Sequence, residues 1–240
     1  MSENNGNEQE QLASNDSADT VVVEPVKAQK TWLQRYGFSL VLLALCLVMG
    51  YYIIAQQNKP ESADFPYNKA AAEFSYPDTD GKTVTLANTN GKVRLMYFFF
   101  ATCPDVCPPT TAIMSQVQDV LKEDGVFGNK VEFLSVTIDP TKDTTDKLKE
   151  YADRFGADTT GWKFLRGDEQ ATAALAKDKY DILVEKDNEG NFGHMNLIIL
   201  IDKDGNIRDY ISANDYIEPD ENGKTSKQPK DMAKLIKRLL

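Results

Sequence analysis

Residues 98–114 read FFFATCPDVCPPTTAIM: an apolar run, two cysteines four positions apart, a pair of prolines, then a stretch with helical spacing. The 240-residue chain contains 3 Cys and 1 His, so this segment holds two of its few side chains able to serve as nucleophiles, redox partners or soft metal ligands. Prolines are favoured in the first turn of a helix, where their missing N–H is not needed. After them Ile113, Val117, Val120 and Leu121 recur as one face of an amphipathic helix. Before the cysteines, KVRLMYFFF at 92–100 reads as a buried central strand. The local unit is therefore strand, Cys-x-x-x-Cys, helix.

Outward from this unit the chain alternates strands and helices from Asn68 onward. KTVTLAN at 82–88 is strand-like, and KVEFLSVTI at 130–138 repeats the buried-strand signature. TTDKLKEYADRFG predicts a helix with Leu148, Tyr151, Ala152 and Phe155 on one face and Gly156 as its stop. DEQATAALAKDKY predicts a shorter helix. NLIILIDKDGNIRDYI predicts an antiparallel hairpin with a Gly-containing turn, and PKDMAKLIKRLL a closing helix. This is the order of a thioredoxin-like domain: α/β, with a central mixed sheet flanked by helices.

Topology then places the reactive groups. Right-handed crossovers make the strands through Met96 and Leu134 parallel, so the loops leaving them at Cys103 and Asp139 open on one sheet edge, where α/β proteins usually bind ligands. If the Leu197 strand runs antiparallel, its beginning lies on that edge too, and His194 stands three residues before it. A helix starting near Cys103 would put both sulfurs on one face, with the helix dipole favouring thiolate. Two thiolates and one imidazole make a set suited to Cu(I) and, with a weak added ligand, to Cu(II), whereas zinc would want a fourth ligand. The same spacing is within reach of a disulfide. Cys103 and Cys107 are thus open to a metal, redox or structural-disulfide reading.

The N-terminal part reads differently. Residues 1–30 are rich in Asn, Glu, Gln, Asp and Ser and nearly free of large apolar side chains before Val21, which predicts disorder. FSLVLLALCLVMGYYIIA at 38–55 is uncharged and of the length needed to cross a bilayer as a helix. Lys27, Lys30 and Arg35 precede it, while Glu61 and Asp64 follow, which predicts a cytoplasmic tail and an outer domain able to keep a disulfide. Lipoprotein processing at Cys46 is disfavoured by Leu45, a larger residue than such cleavage sites normally carry. The expected organisation is a tail over 1–36, an anchor over 37–55 in the lipid bilayer, a Pro-containing tether over 56–67 and one domain over 68–240. A net charge of −10 from 37 acidic and 27 basic residues, without a basic block, argues against a nucleic-acid partner.

YFFFATCPDVCPP, VTIDPTKDTTDKLKEYADRFG and GHMNLIILIDKDGNI, with LRGDEQATAALAKDKYDI between the last two, resemble successive blocks of the Sco/SenC family of membrane-anchored copper proteins. The resemblance covers about residues 68–240 and includes the single-anchor layout. It implies that Cys103, Cys107 and His194 bind one copper ion, that the fold is similar to that of peroxiredoxins, and that the protein helps build the dinuclear CuA site of cytochrome c oxidase subunit II. Met195 departs from the family pattern, which more often has a small hydroxylated residue after the histidine.

Two other functions remain open. A thiol–disulfide oxidoreductase, keeping an acceptor's cysteines reduced, would need the redox-active pair Cys103 and Cys107 but not His194 as a ligand. A peroxidase is disfavoured because Pro104, rather than Thr or Ser, stands three residues before Cys107. Asp139 and Pro140 are expected either to end a strand or to line a partner surface, Met195 and Phe192 to pack, and Asp143, Asp146 and Asp153 to form a solvated helix face.

Overall fold

The computed structural model describes residues 32–57, 65–186, 192–219, 221 and 223–240. The predicted disordered tail up to residue 31, with Lys27 and Lys30, and residues 58–64 of the tether lie outside the described residues, as does the side chain of Arg35.

Two units are distinct, and the first is helix α1, Trp32–Gln57. It exposes Phe38, Val41, Leu42, Leu45, Val48 and Met49, a spacing that leaves no polar face. Among the described residues no helix is long and apolar enough to cross a membrane.

The second unit opens with β1 (Lys69–Ala70), β2 (Ser75–Pro77) and β3 (Thr83–Thr85), followed by β4 (Val93–Phe99), α2 (Cys107–Glu123), β5 (Val131–Thr137) and α3 (Thr145–Arg154). It continues through β6 (Trp162–Arg166), α4 (Glu169–Tyr180), β7 (Val184–Lys186), β8 (Phe192–His194), β9 (Leu197–Ile201) and β10 (Asn206–Ser212). Short α5 (Asn214–Ile217) and α6 (Pro229–Lys237) close it.

The central sheet has the order β1-β10-β9-β4-β5-β6. β4, β5 and β6 are parallel, whereas β9 runs antiparallel to β4 and β10 antiparallel to β9. This is the mixed α/β sheet expected from the sequence. Every residue of β4 and β5 is buried, which is why both read as apolar runs rather than alternating ones. Arg94 is tolerated inside β4 because its guanidinium donates to the carbonyls of Lys92 (2.6 Å) and Thr89 (3.3 Å) and to Asn90 Oδ1 (3.2 Å), at the strand end far from the cysteines.

The predicted helices form with local adjustments. The Thr144 side chain caps α3, and Gly156 at φ +61° ends it in a left-handed turn that favours glycine. α4 is longer than α3, not shorter, because the Asp168 cap and buried Thr172, Ala176 and Tyr180 hold it over 12 residues. The 82–88 segment forms only the three residues of β3 and then tightens into a 3-10 turn over Ala87–Thr89. The β9–β10 hairpin turns at Gly205, φ +90°, with Asp202 Oδ1 accepting from the amides of Asp204 (3.1 Å) and Asn206 (2.8 Å).

Candidate metal centre

β4 ends at Phe99, and β5 runs parallel beside it with Phe99 opposite Thr137. β9 begins next to the same end, with Tyr97 opposite Ile198. The exits of β4 and β5 and the entry of β9 therefore share one sheet edge, as expected from the crossover rules. Cys103 lies in the loop leaving β4, its amide donating to the Phe100 carbonyl at 3.2 Å. Cys107 is the first residue of α2, so Cys103 precedes the helix rather than opening it. The reason is in the first turn: Pro108 and Pro109 fit there, and the Thr110 amide closes it onto the Val106 carbonyl at 3.1 Å.

Neither cysteine is in a disulfide and both are buried, Cys103 at 8% exposure and Cys107 at 0%. They hydrogen-bond to each other, which is the first reason the Cys107 thiol is pushed far up; burial is the second. The Phe100 backbone and the Tyr97 hydroxyl pull weakly the other way. The thiolate expected from the helix dipole is therefore not favoured in this pair: the Cys103 contact and burial outweigh what the helix start supplies.

His194 ends β8, opposite Val184 of β7, and the next amide, Met195, donates to the Leu183 carbonyl at 3.2 Å. Its backbone thus stands three residues before β9, at the edge that carries the cysteines. The side chain of His194 lies outside the described ones. Among the described residues no group of three His, Cys, Asp or Glu side chains is assembled for a metal. Phe192 packs its ring, tilted by 45°, 5.4 Å from that of Phe100 and so ties β8 to the cysteine loop, the packing role expected of it. Met195 is 41% exposed, more than a core residue would be.

Asp143 departs from the sequence reading, whereas Asp139 and Pro140 follow the end of β5 and open a turn, one of the two roles expected of them. Asp143 is not on a solvated face but fully buried, with Oδ2 accepting from the Ala101 amide (2.9 Å) and the Thr137 hydroxyl (2.5 Å). It clamps the cysteine loop to the end of β5. Asp146 and Asp153 are exposed, as expected. Asp139 is buried, with neither carboxylate oxygen hydrogen-bonded and Lys142 Nζ 3.6 Å away.

Burial raises the Asp143 carboxyl above the usual range, with the Thr137 and Ala101 hydrogen bonds opposing the rise. A raised acid holds its proton longer in the folded state than in the unfolded one. Its contribution to stability is then present at low pH and lost as pH climbs through the raised value. Urea unfolding of the wild type and of Asp143→Asn should accordingly diverge as pH climbs above the ordinary carboxylate range, the wild type losing ground to the variant as pH rises. A difference that stays constant over that climb would refute this account.

Asn196 gathers the surrounding elements. Its Oδ1 accepts from the hydroxyls of Tyr97 on β4 (3.1 Å) and Thr110 on α2 (2.9 Å), while its Nδ2 donates to Asn214 Oδ1 on α5 (2.7 Å). Nothing in its sequence context marked it except an amide standing before a run of apolar residues.

The model of the SCO1/SenC family matches residues 63–224, a span that contains both cysteines and the histidine. The chain belongs to the SCO1/SenC family. A SCO1 protein homolog of Bacillus subtilis is 31% identical over 174 residues, covering 71% of this chain and 83% of the relative. The crystal structure of a SCO1/SenC family lipoprotein from Bacillus anthracis is 30% identical, with a TM-score of 0.62 over 76% of this chain and 98% of the other. ScoI of Bradyrhizobium japonicum, solved with copper bound, is 27% identical, with a TM-score of 0.58 over 71% of this chain and 99% of the other. Sco-family proteins bind copper and take part in cytochrome c oxidase assembly. The mixed sheet and its flanking helices are the Sco architecture, a thioredoxin-like one.

Proposed function

We propose that the protein is a copper metallochaperone that holds one copper ion, as Cu(I) or Cu(II), through the thiolates of Cys103 and Cys107 and the imidazole of His194, and passes it to the CuA site of cytochrome c oxidase subunit II. One observation carries this reading: two buried, mutually hydrogen-bonded sulfurs stand at the sheet edge where the strand bearing His194 ends. Soft sulfur donors and an imidazole suit copper, whereas zinc, which takes the same donors, would want a fourth ligand. Burial suits a cargo that must be kept from water and adventitious thiols until transfer. Copper titration of the purified full chain tests the proposal, with one equivalent bound per chain expected. A chain that takes up no copper, or binds it equally well without its cysteines, would overturn it.

The contact between the two sulfurs also favours a second reading, a thiol–disulfide oxidoreductase acting on the acceptor's cysteines, since neighbouring thiols can close into a disulfide. The role of His194 separates the two.

The domain is proposed to be held at the outer face of the membrane by α1. Residues 38–55 are 18 consecutive uncharged residues, enough for a slightly short crossing. A tag placed on the N-terminus should survive protease added to cells whose outer barrier has been opened, while the copper domain is digested. Recovery of a chain that begins at a lipid-bearing Cys46 would replace the uncleaved anchor with a lipoprotein.

A further inference from the structure

Between β8 and β9 the chain leaves a two-stranded hairpin and enters the central sheet, and Asn196 is the residue at that crossing. Its main chain is fixed there by the Ala213 amide, which donates to the Asn196 carbonyl at 3.1 Å. Its side chain is fixed by three further elements. The Tyr97 hydroxyl reaches it from the all-buried strand that leads to Cys103, and the Thr110 hydroxyl from the first turn of the helix that begins at Cys107. The amide nitrogen is spent on Asn214. Both lone-pair positions of Oδ1 are thus occupied by hydroxyls that are themselves buried, and the orientation of the amide is over-determined.

These partners are not distributed at random. Tyr97 and Thr110 stand on either side of the cysteine pair in sequence, and Tyr97 is also hydrogen-bonded to the Cys107 sulfur. Asn196 stands two residues after His194. Two backbone units from the histidine, one side chain therefore registers the His-bearing segment against both elements that carry the sulfurs.

We propose that Asn196 is a positioning residue of the copper site, acting through His194: it holds the 194–196 segment where the imidazole can join the two thiolates. This rests on the reading of Cys103, Cys107 and His194 as the ligand set. Residues that orient a metal ligand without touching the metal carry part of the affinity, and losing one typically costs ~10–100-fold. The loss should fall on the oxidation state that needs the imidazole. Cu(II) prefers a nitrogen ligand, whereas Cu(I) is held adequately by two thiolates.

The experiment is a double-mutant cycle on the full chain in detergent: wild type, Asn196→Ala, His194→Ala and the pair, each titrated with Cu(II) and with Cu(I) against a chromophoric competitor. Asn196→Ala should weaken Cu(II) by ~10–100-fold and shift its sulfur-to-copper absorption band, while Cu(I) affinity changes by less than ~3-fold. In the His194→Ala background the same substitution should add nothing. An equal Cu(II) loss in both backgrounds would show a general structural role and overturn the inference. So would an Asn196→Ala protein indistinguishable from the wild type while His194→Ala is impaired. If His194→Ala itself binds Cu(II) normally, the ligand reading fails first and carries the inference with it. Should Asn196→Ala not fold, Thr110→Val removes one of the two hydroxyl donors with little change in shape; a smaller loss of the same sign, confined to chains with His194, is expected, and no loss overturns the inference.

Discussion

Serine at Cys107 should abolish stoichiometric copper binding by the full chain. The hydroxyl that replaces the thiol is a hard oxygen donor, poorly matched to Cu(I), and at neutral pH it does not ionise to offer a charged ligand. The site is buried, so water does not readily take the place of the lost sulfur. Removing a ligand from the metal itself should exceed the ~10–100-fold cost typical of an outer partner, and at micromolar protein the single equivalent of copper should disappear, together with the thiolate absorption of the Cu(II) form. Cys103→Ser should do the same, because the two sulfurs are neighbours at one site. Melting temperature serves as the control: a Ser hydroxyl is close in size to the thiol, so the metal-free fold should persist. A Cys103→Ser or Cys107→Ser protein with unchanged copper affinity would remove the basis of the proposed function.

His194→Ala is expected to divide the two readings of the thiol pair. With the imidazole gone, the thiolates can still hold Cu(I) as a two-coordinate ion, but Cu(II) should be bound far more weakly. The Cys103–Cys107 disulfide should still form and be reduced at near-normal rates, since neither sulfur has been altered. In cells lacking the wild type and grown at limiting copper, a metallochaperone with this substitution should fail to restore the oxidase copper site. Full rescue would transfer the assignment to thiol–disulfide exchange. Loss of rescue with a normal fold and intact dithiol chemistry would keep it with copper transfer.

How much of this was legible in the sequence depended on where each residue's fate is decided. β4 and β5 were readable because burial on both faces leaves an apolar run. The antiparallel pairing of β9 with β10 was readable from their short turn, whereas the antiparallel run of β9 beside β4, on which the placement of His194 depended, was only a condition of the reading. β6 was missed: Trp162 to Arg166 includes Lys163 and Arg166, and as an edge strand it lacks a continuous apolar signature. The β7–β8 hairpin was missed as well, being three residues on each side with little propensity of its own. The start of α2 was placed too early, although Pro108 and Pro109 already mark its first turn. Asp143 was misread for a different reason. Its neighbours Thr144 and Asp146 are exposed, and only the approach of Ala101 and Thr137, from distant or differently folded segments, turns it inward. Asn196 is the extreme of this kind, an amide whose partners come from three separate elements.

Pro108 and Pro109 at the head of α2 bear also on what the pair refuses. A helix start rich in free amides draws electrons onto sulfur and makes it a ready target for peroxides, alkylating agents and other electrophiles. Here two of those positions are prolines with no hydrogen to donate, and both cysteines are buried. Under the proposed function, reactivity is thereby withheld until an incoming soft metal displaces the protons. If the protein is the proposed carrier and faces an oxidising compartment, it gains persistence from this: its sulfurs stay unspent between deliveries.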